Sequence, residues 1–447
     1  MVDKKTNVLI HRPGSGLSKP GQVTSPILAR MTQDVLAKVY DNNDLSLARF
    51  RVGEYLLREP DYRQVLGWAE ALGMVPEALI TILADSRVES SSSEDFAPID
   101  FSVEDGAIVS LAWDFDRLHL VPLKWEAGLH IRTLGFQGTW PDSSITLKPI
   151  LPRLQILICR YLWLRAIELT HTPGLIKLDC TGNHLTELDL TALSAIKVIN
   201  CNHNEIAAIH FSIMRDLTKL GCSCNKLTYL DLSLCPGLTE LNCFCNELST
   251  LDLSLVPRLG KLNCGKNQLT SLDLSPVREL TTLNCQENML EVLDLSHVPM
   301  LLDLGCGQNQ ITHLDLSPVS RLNGLWCSSN RLTELDLTLV PKLITLECSH
   351  NYLNELDLSP VSNLTELECQ GNELTELDLT PVPLLVDLDC MSNKLRVLDL
   401  LPVPSLTKLN VCDNELAELA LSPVPGLKML DCDENVKILN PPQDLWL

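Results

Sequence analysis

Asn recurs at positions 183, 204, 225, 246, 267, 288, 309, 330, 351, 372, 393, 414 and 435, thirteen times at a spacing of 21 residues without a slip. Twelve of these have Cys three residues earlier, from Cys180 to Cys432, and most have Leu two residues later. A period in the twenties with a fixed apolar grid means stacked supersecondary units, each too small to bury its apolar face alone. The grid therefore sets the architecture as a solenoid, whose length is not limited by the size of one compact core. With only 4% aromatic residues among 447, the interior must be filled by aliphatic side chains and thiols.

The unit Leu280–Pro299 shows how one repeat works. Leu280, Leu283, Cys285 and Leu290 are expected to face inward, and Leu283–Cys285 alternates as a short strand does. Equivalent strands one repeat apart stack in parallel at about 4.8 Å. Asn288 stands where the chain leaves the strand, where its amide can satisfy backbone groups in a buried bend. The stretch Leu293-Asp294-Leu295-Ser296 predicts a second short extended segment on the opposite side. Pro299 and its equivalents Pro236, Pro257, Pro341, Pro383, Pro404 and Pro425 exclude a helix there.

These residues resemble the bacterial leucine-rich repeat family, specifically its short nested 21-residue class, LxxLxCxxNxLxxLDLxxxxx, over about residues 175–440. The resemblance implies an α/β-type repeat solenoid, a leucine-rich repeat arc with a parallel concave β-sheet. It also implies a non-enzymatic protein–protein interaction scaffold. Enzymatic members of the family carry their activity in an appended domain, as the secreted ubiquitin-ligase relatives do after their repeats. The last repeat Asn is followed here by only residues 436–447, so such a domain is expected to be absent.

Ahead of the repeats the pattern changes. Residues 1–25 are polar and rich in Gly, Pro and Ser, and are expected to be disordered. Residues 26–88 read as a small helical domain, with helical spacing near Ile27–Val39, Leu45–Arg58, Tyr62–Leu72 and Pro76–Ala84. Residues 89–102 form a polar linker, and 103–174 are degenerate repeats acting as an N-terminal cap. Cys159 already lies 21 residues before Cys180, with Leu162 in place of Asn. The thirteen regular repeats occupy 175–435, and a short C-terminal cap, 436–447, offers Leu439, Leu445 and Trp446 to the last layer.

The chain carries 57 acidic against 35 basic residues, a net charge of −22. That argues against nucleic acid or an anionic membrane as partner and fits a basic or neutral protein. No secretory leader is legible, and no run approaches the roughly 18 apolar residues of a membrane helix. Seventeen Cys without an export signal predict free thiols and a cytoplasmic location. The alternative is a bacterial effector secreted without a cleaved signal peptide, with residues 1–30 as its address. Oligomeric state is left open.

Three ladders carry the candidate chemistry. The Cys ladder (Cys180, Cys201, Cys222 onward) reads as core packing, because a straight row of thiols does not converge on a metal. The Asn ladder (Asn183, Asn204, Asn225 onward) reads as structural. Cys224 and Cys245 fall outside the Cys ladder at equivalent places near the bend, where oxidative pairing is an alternative. An Asp ladder six residues after ten of the Asn, from Asp189 to Asp399, fits turn chemistry, with divalent-cation binding as the alternative. No catalytic motif, cofactor motif or metal-ligand spacing is present, so neither catalysis, nor a cofactor, nor a metal is expected.

The repeats differ at positions that alternate with the buried Leu and Cys. Phe244 and Trp326 replace small or polar residues, and beyond Trp326 the face turns acidic at Glu347, Glu366, Glu368, Asp387 and Asp389, with His350 and Met391 nearby. Trp is enriched in binding hot spots, so these nine residues are the candidate partner-binding surface. Drift on an unselected face of duplicated repeats is the competing reading.

Overall fold

A computed structural model describes residues 50–89, 97–118, 125–138, 146–442 and 445. The segment 1–25, the expected helix near Ile27–Val39 and Trp446 lie outside the described residues. The chain divides into two compact units, residues 1–216 and 217–447.

In the first unit, helix α1 (Glu59–Leu72) begins with Pro60 in its first turn and ends on Gly73 in the left-handed region at φ 67°. Both are expected terminus signals, since Pro lacks only a donor the first turn cannot use and Gly has no Cβ to clash. Asp61, Tyr62, Val65, Trp68 and Ala69 form its buried stripe. Helix α2 (Pro76–Ala84) starts on Pro76 and buries Leu79, Ile80 and Leu83. In the described part of the expected helix Leu45–Arg58, from Phe50 on, the chain forms instead an antiparallel hairpin of Phe50–Val52 with Tyr55–Leu57. Gly53 turns the chain at φ 58°, and Val52 and Leu57 are the buried ends. So short an apolar run fits either period, and tertiary pairing decided it.

Within the expected linker, Ile99–Asp100 pairs with Arg87–Val88, and Ser102–Glu104 forms a hairpin with Ala107–Asp114. Asp105 and Gly106 both take positive φ, as the tight turn of a two-residue hairpin requires. The strand Ala107–Asp114 then opens a parallel ladder through Thr133–Gln137, Ile156–Ile158, Lys177–Asp179 and Val198–Asn200. Trp68 meets Trp113 edge-on at 4.9 Å and Trp125 at 5.8 Å, so the helices close the first layer with aromatic rings. Cys159, Leu162, Cys180 and Cys201 are fully enclosed in this core.

The second unit repeats one coil. Three-residue strands from Lys219–Gly221 to Met429–Asp431 pair in parallel with a constant offset of 21 residues. Leu280, Leu283, Cys285 and Leu290 are all at most 1% exposed, as the period demands. Extended pairing on the far side of the coil is confined to Glu418–Ala420 with Lys437–Leu439; the equivalent segments between 231 and 399 form no strand. In the first unit Glu187–Asp189 pairs with Ala208–His210 in the same manner.

The bend after each strand explains the Asn. Asn309 donates through Nδ2 to the carbonyls of Cys285, Cys306 and Gly307 at 3.0, 3.0 and 3.1 Å, and its Oδ1 accepts from Leu290 N–H at 3.0 Å. One side chain thus satisfies backbone groups of its own turn and of the turn before it. The residue preceding Asn is left-handed in turn after turn, including Cys224, Cys245, Lys266, Glu287, Gln308, Ser329 and His350, at φ between 51° and 57°. Such a conformation costs a non-glycine residue roughly 1–2 kcal/mol. The Asn bonds hold it in place.

Candidate functional site

The sheet face of the second unit carries the candidate residues. Trp326 is the last residue of the strand Gly324–Trp326 and points to the same side as Gly324. Its ring lies over Gly324, where any Cβ would run into the indole. Glu347 stands opposite Trp326 in the next strand, and the nearby indole favours its carboxylate. Trp326 is therefore half-buried and oriented rather than waving in solvent.

Register builds two columns of carboxylates beside it. Glu347, Glu368 and Asp389 form one, while Glu366 and Asp387 form the other. Burial and then the facing charges of Glu368 and Glu366 push the Glu347 carboxyl above the usual carboxylate range, although the indole N–H opposes this. Charges at strand spacing cannot all be relieved by water, so the face favours a cation. At its far side, Lys408 pairs with Asp387 at 2.7 Å, and Asn410 donates to Asp389 at 3.1 Å.

The other three candidates lie beyond the ends of their strands. Phe244 follows the strand Glu240–Asn242, four strands before that of Trp326, or about 19 Å at normal strand spacing. Met391 occupies the equivalent place seven repeats later and donates its N–H to Asp389 Oδ1 at 3.0 Å. His350 lies beyond the strand in the left-handed turn, exposed, with its ring over Gly371. Trp326, Glu347, Glu366, Glu368, Asp387 and Asp389 form one patch; Phe244 is separate.

The Asp ladder makes the same turn throughout. The Oδ1 of Asp294 accepts from Ser296 N–H at 2.9 Å, and Asp231, Asp252, Asp273, Asp315, Asp336, Asp357, Asp378 and Asp399 repeat the bond. These bonds hold the Asp294 and Asp315 carboxyls below their ordinary range. Among the described residues, no group of three or more His, Cys, Asp or Glu is placed to hold a metal. An acidic groove of about 930 Å³ runs along the Leu-Asp-Leu side, between Asp315, Asp336, Asp357 and the row Glu334, Glu355, Glu376. The Glu row stands four residues after Asn330, Asn351 and Asn372, but the groove was not legible, because its second wall depends on the path of the bend. In the first unit, exposed Tyr161 and Trp163, both at positive φ, also escaped the sequence reading. Trp163 lies tilted against His184 with ring centres 5.2 Å apart, and Tyr161 covers Gly182.

No family model matches the chain, and no curated protein does. Solved structures do. YopM, a leucine-rich effector protein from Yersinia pestis, is 30% identical with a TM-score of 0.54, over 61% of this chain and 76% of its own. The chain belongs to the leucine-rich repeat family. The functional domain of InlJ from Listeria monocytogenes, which includes a cysteine ladder, is 37% identical with a TM-score of 0.57. The match covers 60% of each, so this leucine-rich repeat chain spans under two thirds of that relative. A leucine-rich repeat protein of Leptospira interrogans shares the fold at a TM-score of 0.60 and 23% identity, over 64% of this chain and 79% of its own. Among the described residues, no single helix is long and apolar enough to cross a membrane.

Proposed function

We propose that this leucine-rich repeat protein is a non-enzymatic scaffold of the short nested 21-residue class that binds a protein partner on the sheet face of residues 217–447. Trp326 is the anchor, and Glu347, Glu366, Glu368, Asp387 and Asp389 select a basic surface. The observation that carries this reading is the indole laid over Gly324 and facing Glu347, an aromatic anchor held inside an anionic field. Pre-ordered Trp loses little freedom on binding, and complementary charge steers the encounter. The test is affinity capture with the native protein, a Trp326→Ala, Glu368→Lys double variant, and Glu355→Lys on the groove side. A partner lost from the double variant and kept by Glu355→Lys supports the face. Equal recovery from the double variant overturns it.

A second reading is favoured by the likeness to YopM, itself described as an effector. In this reading the protein is delivered to another cell without a cleaved leader and acts there by the same face. A fusion of residues 1–30 to a reporter should leave a secreting bacterium, and retention inside it removes this reading.

A further inference from the structure

Four of the seventeen Cys, Cys224, Cys235, Cys245 and Cys412, stand off the ladder, and two of them hold equivalent positions one repeat apart. Cys224 and Cys245 each immediately precede a ladder Asn, take the left-handed conformation at φ 53° and 56°, and are only half-buried. Their turns are equivalent and adjacent. Cys224 N–H donates to the Phe244 carbonyl at 2.8 Å, and Asn225 N–H donates to the Cys245 carbonyl at 3.2 Å. Burial and then the neighbouring Cys245 thiol raise the Cys224 thiol, and Lys266, the residue at the same place in the following turn, partly opposes that rise. The ladder neighbours Cys222 and Cys243 are at 0% exposure, closed to any solute. No other adjacent pair of turns puts Cys in this position twice.

We propose that Cys224 and Cys245 are a reversible disulfide site, oxidised by a small-molecule disulfide such as oxidised glutathione. One thiol, as its thiolate, attacks a glutathione sulfur, forms a mixed disulfide and expels one glutathione thiolate. The second thiol gives up its proton, attacks the protein-side sulfur and closes the Cys224–Cys245 bond, expelling the other glutathione. Two protein thiols are oxidised, one glutathione disulfide is reduced to two thiols, and the released protons end on those thiols. Neighbouring parallel turns at about 4.8 Å lie within the Cα range a disulfide spans, about 4.4–6.8 Å. The required Cβ separation of about 3.5–4.5 Å is slightly shorter, so closure draws the two turns together and leaves a bond that thiols reopen readily.

The experiment incubates the full chain with oxidised glutathione, blocks remaining thiols under denaturing conditions, and maps linkages by peptide fragmentation. Fragmentation is needed because Cys222 and Cys224 share one tryptic peptide. The expected result is loss of two thiols, a Cys224–Cys245 link, and recovery of both with dithiothreitol. Cys224→Ser should instead hold a glutathione adduct at Cys245. Phenylarsine oxide, which bridges paired thiols, should protect Cys224 and Cys245 together from alkylation in the folded native protein. No thiol loss, a link at Cys222–Cys243, or a wild-type glutathione adduct that never closes would each overturn the proposal. The native map and the arsenical arm decide the matter even if the variant misfolds.

Discussion

Each ladder Asn works as a cross-brace between consecutive coils. Asn309→Ala leaves the N–H of Leu290 without a partner in a dry bend, while the carbonyls of Cys285 and Cys306 each lose one of two amide donors and keep Asn288 and Asn330 respectively. At roughly 1–3 kcal/mol for one unmatched buried donor, the loss should be about 2 kcal/mol, read as a lower urea midpoint. The same Asn also holds Gln308 left-handed. Gly324 acts by absence. Gly324→Ala should displace the Trp326 ring and change its emission, judged against Trp326→Phe, while the urea midpoint stays close to that of the native protein. An unchanged Trp326 signal would show that the ring does not rest on residue 324. The sequence made Trp326 conspicuous but not its platform, although alternation places Gly324 on the same face.

At the level of elements, α1 and α2 were legible from their Pro starts and apolar spacing, and the hairpin over 50–57 was not. What ties α1 to the first parallel strand is Asp61, whose Oδ1 accepts from Ile108 N–H at 2.9 Å and whose Oδ2 pairs with Arg58 at 3.1 Å. Burial raises the Asp61 carboxyl despite both partners. Asp61→Ala should strand the mostly buried Arg58 guanidinium and the Ile108 N–H, at a cost of about 3 kcal/mol. Faster amide exchange along Ala107–Asp114 is the expected readout. Unaltered exchange there would mean that the aromatic contacts of Trp68 and Trp113 suffice. Asp61 falls on a helical apolar stripe, and nothing in the sequence distinguishes it from a surface Asp.

Over the whole molecule, the thiol ladder sets an alkaline limit. Burial pushes Cys243, Cys306 and Cys348 from 9.0 to about 12. The folded protein keeps these protons while the unfolded chain loses them. Stability is therefore fully present below pH 9 and falls as pH rises toward 12, by about 1.4 kcal/mol per pH unit for each thiol. The urea midpoint should be flat from pH 7 to 8 and fall steeply beyond 9. Cys306→Ala should have a lower midpoint at pH 7 and a shallower alkaline slope. A midpoint independent of pH between 9 and 11 would refute the burial of the ladder.

A 21-residue period of Leu, Cys and Asn was enough to dictate coil, strand and core, because each coil can bury its apolar side only against a copy of itself. The acidic turn of the face beyond Trp326 was likewise legible, since side chains alternate along a strand. Only the folded chain decided that Trp326 rests on Gly324 beside Glu347, that Phe244 stands about 19 Å away, and that Cys224 meets Cys245. Those facts depend on rotamers and on contacts between coils, which periodicity leaves open.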